Sequence, residues 1–146
     1  MDFLELVKFE GFQNIYGPDC FYDEFKRNVL GLPPNASPPQ NDKFSKQCVN
    51  WFIASLKNLD ELGPETTKLK RFEKLPGTDD IYSARYPNTR KNPRFLYFFI
   101  QGKNVILLCP FLEKSGSDYK RAISLAQARK KELKSQWPLD ENGGTI

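Results

Sequence analysis

A chain of 146 residues, 39% hydrophobic and 14% aromatic, is long enough to bury one core, and it contains no histidine. That absence excludes Ser-His-Asp and Cys-His catalysis, histidine metal sites and the paired-histidine route to RNA cleavage. The net charge of +4 is unevenly spread: residues 82–121 carry eight basic side chains against two acidic (+6), residues 1–81 ten against thirteen (−3), and residues 122–146 four against three (+1).

A compact segment this positive is suited to a polyanion, and nucleic acid is the first class it suggests. No apolar run is long enough to span a bilayer, so no membrane partner is expected. The opening MDFLELVKFE is charged and alternating, unlike a signal peptide. The three cysteines, Cys20, Cys48 and Cys109, stand at unrelated spacings and read as mostly buried, reduced thiols of a cytoplasmic protein. No CxxC pair, P-loop or GxGxxG is present, so no metal or cofactor is expected.

In chain order, residues 3–9 (FLELVKF) alternate apolar and polar as an edge or half-buried strand does. Tyr22 to Leu30 reads as a short helix, with Asp19 near its start and Gly31 after it. Four prolines in the seven residues from Pro33 to Pro39 make a stiff, extended loop. It is a spacer in the plain reading and a proline-motif docking site in the rarer one. Asp42 is a helix N-cap. From there Phe44, Cys48, Trp51, Phe52, Ser55, Leu56, Leu59 and Leu62 recur at three- and four-residue steps along one helix face, which Gly63-Pro64 ends. Trp51 at this spacing is a core residue.

Residues 65–75 (ETTKLKRFEKL) read as a shorter helix or an irregular connector. Leu69, Phe72 and Leu75 would pack, and Lys68, Lys70, Arg71 and Lys74 would face water. After the Pro76-Gly77 turn come three strands, at about 80–86, 94–101 and 104–112, with Gly102 in a tight hairpin turn. The link from Pro87 to Pro93 is polar, basic and exposed. A final helix from about Asp118 to Gln136, capped by Ser115 or Ser117, carries an apolar stripe of Ala122, Ile123, Ala126, Leu133 and Trp137. Lys120, Arg121, Arg129, Lys130, Lys131 and Lys134 line the rest. Pro138 stops it.

This order predicts a single α+β domain over residues 1–146. Its small antiparallel β-sheet, an N-terminal strand plus a C-terminal three-stranded meander, packs against two or three helices. Residues 138–146 read as a flexible tail. Alternation puts Arg94, Leu96, Phe98 and Ile100 on one face of their strand and Phe95, Tyr97 and Phe99 on the other, so both sheet faces are apolar and covered. Tyr97 is a packing residue.

The strings LPGTDDIYSARYP, NPRFLYFFIQGKNVILL and FLEKSGSDYKRAISLAQAR, in this order, resemble the RelE/ParE superfamily of toxin–antitoxin toxins. They are most similar to its phage-derived HigB-like branch. The residues concerned are Leu75-Pro76-Gly77, Ile81 to Arg85, Arg94 to Tyr97, Val105 to Leu108, Glu113-Lys114 and Ile123 to Arg129. The match covers roughly residues 45–133, and the first 40 residues fall outside the usual pattern; the resemblance thus makes residues 1–42, with the Pro-rich loop, an N-terminal extension and 43–137 the toxin core. The resemblance implies a RelE-like fold and a toxin that cleaves mRNA, usually in the ribosomal A site. It also implies a cognate helix-turn-helix antitoxin.

By matched position the resemblance makes Arg94 the sheet arginine that holds the scissile phosphate, Arg85 the second sheet cation and Lys114 the basic residue after the last strand. Tyr119 is a loose match to a tyrosine near the nucleophile. Cleavage through the 2′-hydroxyl needs orientation, charge stabilisation and proton transfer. Arg94 and Arg85 supply bidentate donors to phosphate oxygens. Lys114 supplies charge or a proton, Glu113 is the one nearby carboxylate to act as base, and Tyr119 stacks on a base or passes a proton. Arg90 and Lys91 in the link, and Lys120 and Arg121 on the helix, are candidate RNA contacts; a solvated helix face is the plain alternative for the last two. Two other functions stay open: a same-fold toxin directed at DNA gyrase, and a non-catalytic RNA- or protein-binding module.

Overall fold

The computed structural model describes residues 3–33, 42–86 and 90–139. Most of the proline loop, three residues of the basic link and the tail from residue 140 lie outside them. The fold is α+β. Six strands follow one another in the chain as β1 (Leu6–Lys8), β2 (Ile15–Pro18), β3 (Phe72–Lys74), β4 (Tyr82–Arg85), β5 (Pro93–Ile100) and β6 (Asn104–Leu112). They build one sheet in the order β1-β2-β6-β5-β4-β3. The helices are α1 (Phe21–Glu24), which runs into a π-helical turn over Phe25–Val29, then α2 (Lys43–Leu62) and α3 (Gly116–Lys134).

The sheet is larger than the sequence patterns foretell, and it is mixed. β2 lies parallel to β6, while every other pairing is antiparallel. The expected four antiparallel strands are therefore joined by β2 and β3. Residues 65–75, expected as a shorter helix or an irregular connector, are a 3-10 segment, Gly63–Lys68, that leads into β3 at the sheet edge. Phe72 gives β3 its anchor, buried beside Ala84 of β4, while Glu73 and Lys74 stay exposed. Residues 3–33 contribute both β1 and β2 to the same sheet, and Phe9, Ile15, Phe21, Phe25 and Val29 to the same core.

α2 begins as its cap dictates, with Asp42 Oδ1 accepting from Phe44 N at 3.1 Å and Asp42 Oδ2 from Ser45 Oγ at 2.8 Å. Its apolar stripe covers one sheet face. There Phe52 stacks on Phe25 at 4.7 Å and meets Phe95 edge-on at 5.5 Å, and Trp51 tilts against Phe95 at 5.6 Å. Tyr97 is fully buried in this layer, as its place in the alternation requires. α3 covers the opposite face, over Leu96, Phe98, Ile106, Leu108 and Cys109, with Ala122, Ala126 and Leu133 pointing inward. Gly17 lets β2 approach the sheet: a Cβ there would meet a Phe9 ring carbon at 3.0 Å and Leu107 Cβ at 3.2 Å.

Arg129 departs from the expected solvated face of α3. It is buried, with Nη1 donating to Glu24 Oε1 at 2.6 Å and to Leu108 O at 2.8 Å, and Nη2 donating to Glu24 Oε2 at 2.5 Å. The bidentate pairing satisfies a charge that burial would otherwise make costly. It ties α3 to the end of α1. Cys20, Cys48 and Cys109 are unpaired thiols. Among the described residues no helix is long and apolar enough to cross a membrane.

Candidate functional site

Cross-strand register collects the site. Arg85 on β4 stands opposite Arg94 on β5, Ser83 opposite Leu96, and Glu73 on β3 opposite Ser83. Opposed residues in an antiparallel ladder share a face, so Glu73, Ser83, Arg85 and Arg94 all lie on the α3 side. A bulge in β6 adds a fifth residue. Leu96 pairs with Cys109 and Tyr97 with Leu107, which leaves Leu108 unpaired. The extra residue reverses the alternation beyond it and brings Phe111 to the Arg94 side, directly opposite Arg94.

Just past β6 the chain turns into α3. Ser115 caps the helix, its Oγ accepting from Asp118 N at 3.4 Å. The first turn carries Tyr119 over the sheet, where its ring meets Phe111 edge-on at 5.8 Å. The Arg94 guanidinium carbon lies 5.0 Å from the centre of that ring. Arg94 Nη1 lies 3.4 Å from each of Tyr119 Oη, Ser83 Oγ and Glu73 Oε1, three long bonds that share one donor group. Arg94 Nε lies 2.5 Å from Glu113 Oε2, an ionic contact in which the N–H is not aimed along the line to the oxygen. That oxygen also accepts from Asn92 Nδ2 at 3.0 Å, and Glu113 N donates to Asn92 O at 3.1 Å. The Arg94 side chain is 11% exposed, Glu113 22% and Glu73 50%, so Glu73 is the loosest and most displaceable partner.

Burial pushes the Tyr119 hydroxyl above its ordinary range, against the opposing pull of Ser83 and Arg94. It is therefore a proton donor at neutral pH. Arg85 is half-buried; its Nη2 reaches Lys70 O at 3.5 Å, and its buried Nε has no hydrogen-bond partner. The constellation thus joins a guanidinium, two carboxylates, a phenol and a hydroxyl, with Arg85 in the adjoining register position. It can bind an oxyanion, accept a proton and donate one.

The other expected site residues lie elsewhere. Lys114 follows Glu113 but its exposed side chain lines a separate cleft with Arg121 and Asp118. Arg121 pairs with Asp118 at 2.6 Å, and Lys120 is exposed on α3. Arg90 is exposed in the β4–β5 link. Lys91 Nζ sits 4.3 Å above the Phe44 ring at the start of α2, away from Arg94. Glu73 and Ser83 escape a reading of the sequence, because only pairing of β3 with β4 brings them to Arg94. Among the described residues no group of three or more Cys, Asp or Glu is placed to hold a metal ion. No family model, curated protein or solved structure matches this chain.

Proposed function

We propose that this chain is a metal-independent mRNA endoribonuclease of RelE-like fold, the toxin of a toxin–antitoxin pair. The observation that supports this reading is the Arg94 cluster: a sheet guanidinium beneath a protonated Tyr119, with the Glu113 carboxylate 2.5 Å from its Nε. Arg94, with Arg85 beside it, receives the non-bridging oxygens of a phosphodiester. The substrate's 2′-hydroxyl loses its proton to Glu113 as the O2′–P bond forms. The P–O5′ bond breaks, and Tyr119 gives its proton to the leaving O5′. The products are a 2′,3′-cyclic phosphate and a 5′-hydroxyl end. Arg94 is already engaged by two carboxylates, so the site is slow on free RNA. A ribosome that holds the mRNA in place supplies the missing orientation. A helix-turn-helix antitoxin encoded nearby is the expected neutralising partner.

The same crowding of Glu73 and Glu113 on Arg94 favours a second reading, a non-catalytic RNA- or protein-binding module. One experiment separates the two. The 5′ ends of a defined mRNA are mapped in a purified translation system, with the wild-type protein beside Arg94→Ala, with and without ribosomes. New 5′-hydroxyl ends that disappear with Arg94→Ala are expected. Unchanged mRNA with normal translation refutes cleavage and leaves the binding module.

A further inference from the structure

Beside the Arg94 cluster, and outside it, lies a cleft of about 510 Å³ between the π-helical turn after α1, the end of β6 and the start of α3. Its volume is within the range of small-ligand sites, about 300–1,000 Å³. Its floor is apolar, with Pro110, Phe111 and Leu125, the last 43% exposed. Its rim is basic, with Arg27, Lys114 and Arg121 coming from three segments of the chain. The rim acids are already taken. Both Glu24 oxygens accept from Arg129. Asp118 Oδ1 pairs with Arg121 at 2.6 Å and Oδ2 accepts from Lys114 N at 3.1 Å. Among the described residues that leaves the exposed Arg27 and Lys114 without an acidic partner. Phe111 is the shared wall. It stands opposite Arg94 across the β5–β6 ladder, at a Cβ separation of about 4.5–5.5 Å for such pairs, and its ring touches Tyr119.

We propose that this cleft seats the nucleotide adjoining the phosphate held at Arg94, with its own phosphate between Arg27 and Lys114 and its base on Phe111 and Leu125. The inference rests on the RNA reading of the Arg94 cluster and extends it by one subsite. Two unpaired cations over an apolar, partly aromatic floor match a nucleotide, which carries an anion and a π-face on one short unit. The site takes single-stranded RNA, because a paired base has no free face to lay on Phe111. Arg27 thereby ties the N-terminal segment to substrate recognition.

The test uses fluorescence anisotropy with a 2′-O-methylated octanucleotide, which binds but lacks the attacking hydroxyl. Wild type, Arg27→Ala, Arg27→Lys, Arg94→Ala and Lys131→Ala are compared in the full chain, with circular dichroism to verify folding. Lys131 lies at the far end of α3, so its loss reports the general effect of removing one positive charge. The expected result is about five- to tenfold weaker binding for Arg27→Ala and a slope of log affinity against log salt shallower by about 0.7. Arg27→Lys should recover most of the loss, and Lys131→Ala should stay near wild type. Equal behaviour of Arg27→Ala and Lys131→Ala overturns the subsite; if Arg94→Ala still loses binding, the Arg94 reading survives alone. A loss specific to Arg27→Ala, in a protein that leaves mRNA uncut, keeps the subsite and removes the nuclease. No RNA binding by wild type overturns both. Displacement of the RNA by a poly-glutamate peptide of matched charge at equal concentration overturns the nucleotide assignment in favour of an acidic protein partner.

Discussion

Replacing Glu73 by Gln should strengthen RNA binding, because Glu73 occupies part of the space a phosphate needs at Arg94. Its Oε1 lies 3.4 Å from Arg94 Nη1 and its side chain is half exposed. An exposed pair of this kind contributes about 0.2–1 kcal/mol. A bound phosphate must give that up and must also sit beside the remaining negative charge. At about 6 Å and an effective dielectric constant of about 60, that repulsion is about 1 kcal/mol before salt screens it. A net gain of about 1 kcal/mol, roughly fivefold in affinity, follows for Glu73→Gln at physiological salt. The assay is anisotropy with the uncleavable octanucleotide at low and physiological salt, in wild-type and Arg94→Ala backgrounds. The gain should shrink with added salt and vanish when Arg94 is absent. Unchanged or weaker binding, or a gain that persists without Arg94, refutes the reasoning. A fall of 100-fold or more in cleavage with binding intact would instead make Glu73 the base.

Tyr119→Phe removes the proposed proton donor while keeping the ring over Arg94; cleavage should fall by about 10²–10⁴ with thermal stability near wild type. Arg129→Ala leaves the half-buried Glu24 without its partner and should cost about 3 kcal/mol in urea denaturation, whereas Arg129→Met combined with Glu24→Leu should recover most of it. Burial pushes the thiols of Cys48 and Cys109 up to about 12, so both should resist iodoacetamide at pH 8 in the native protein and react once it is unfolded. Because the folded-state values are raised, their contribution to stability is complete below the unfolded thiol pKa of about 8.5 and is lost as pH rises towards 12. At pH 10 the two together should have removed about 4 kcal/mol; a denaturation midpoint flat from pH 8 to pH 10 would refute it.

Elements with local signals are legible in the chain. α2 follows from the Asp42 cap, the three-and-four spacing of its apolar residues and the Gly63 stop. β5 and β6 follow from alternation and from the turn between them, where Gln101 and Gly102 take φ of +48° and +82°. The opposite faces of Arg94 and Tyr97, and the burial of Tyr97, were legible from the same period of two. Caps and periodicities act within a few residues, so a short window contains their cause.

Other features depend on partners distant in the chain. β2 has Gly17 and Pro18 inside it and no alternation of its own, and it becomes a strand only with β6 alongside. β3 is three residues among lysines, and only the β4 edge makes it a strand. Arg129 looks like one more helix-surface cation, and its partner Glu24 stands 105 positions away in the chain. The site divides the same way. Arg94, Arg85 and Tyr119 are named by the family resemblance, and Glu113 is the carboxylate nearest Lys114 in the chain. Their union with Glu73 and Ser83, and the placing of Lys114 in one cleft with Arg27, depend on strand register, the Leu108 bulge and the docking of α3. Those are free-energy balances of the whole sheet, and no local stretch of the chain encodes them.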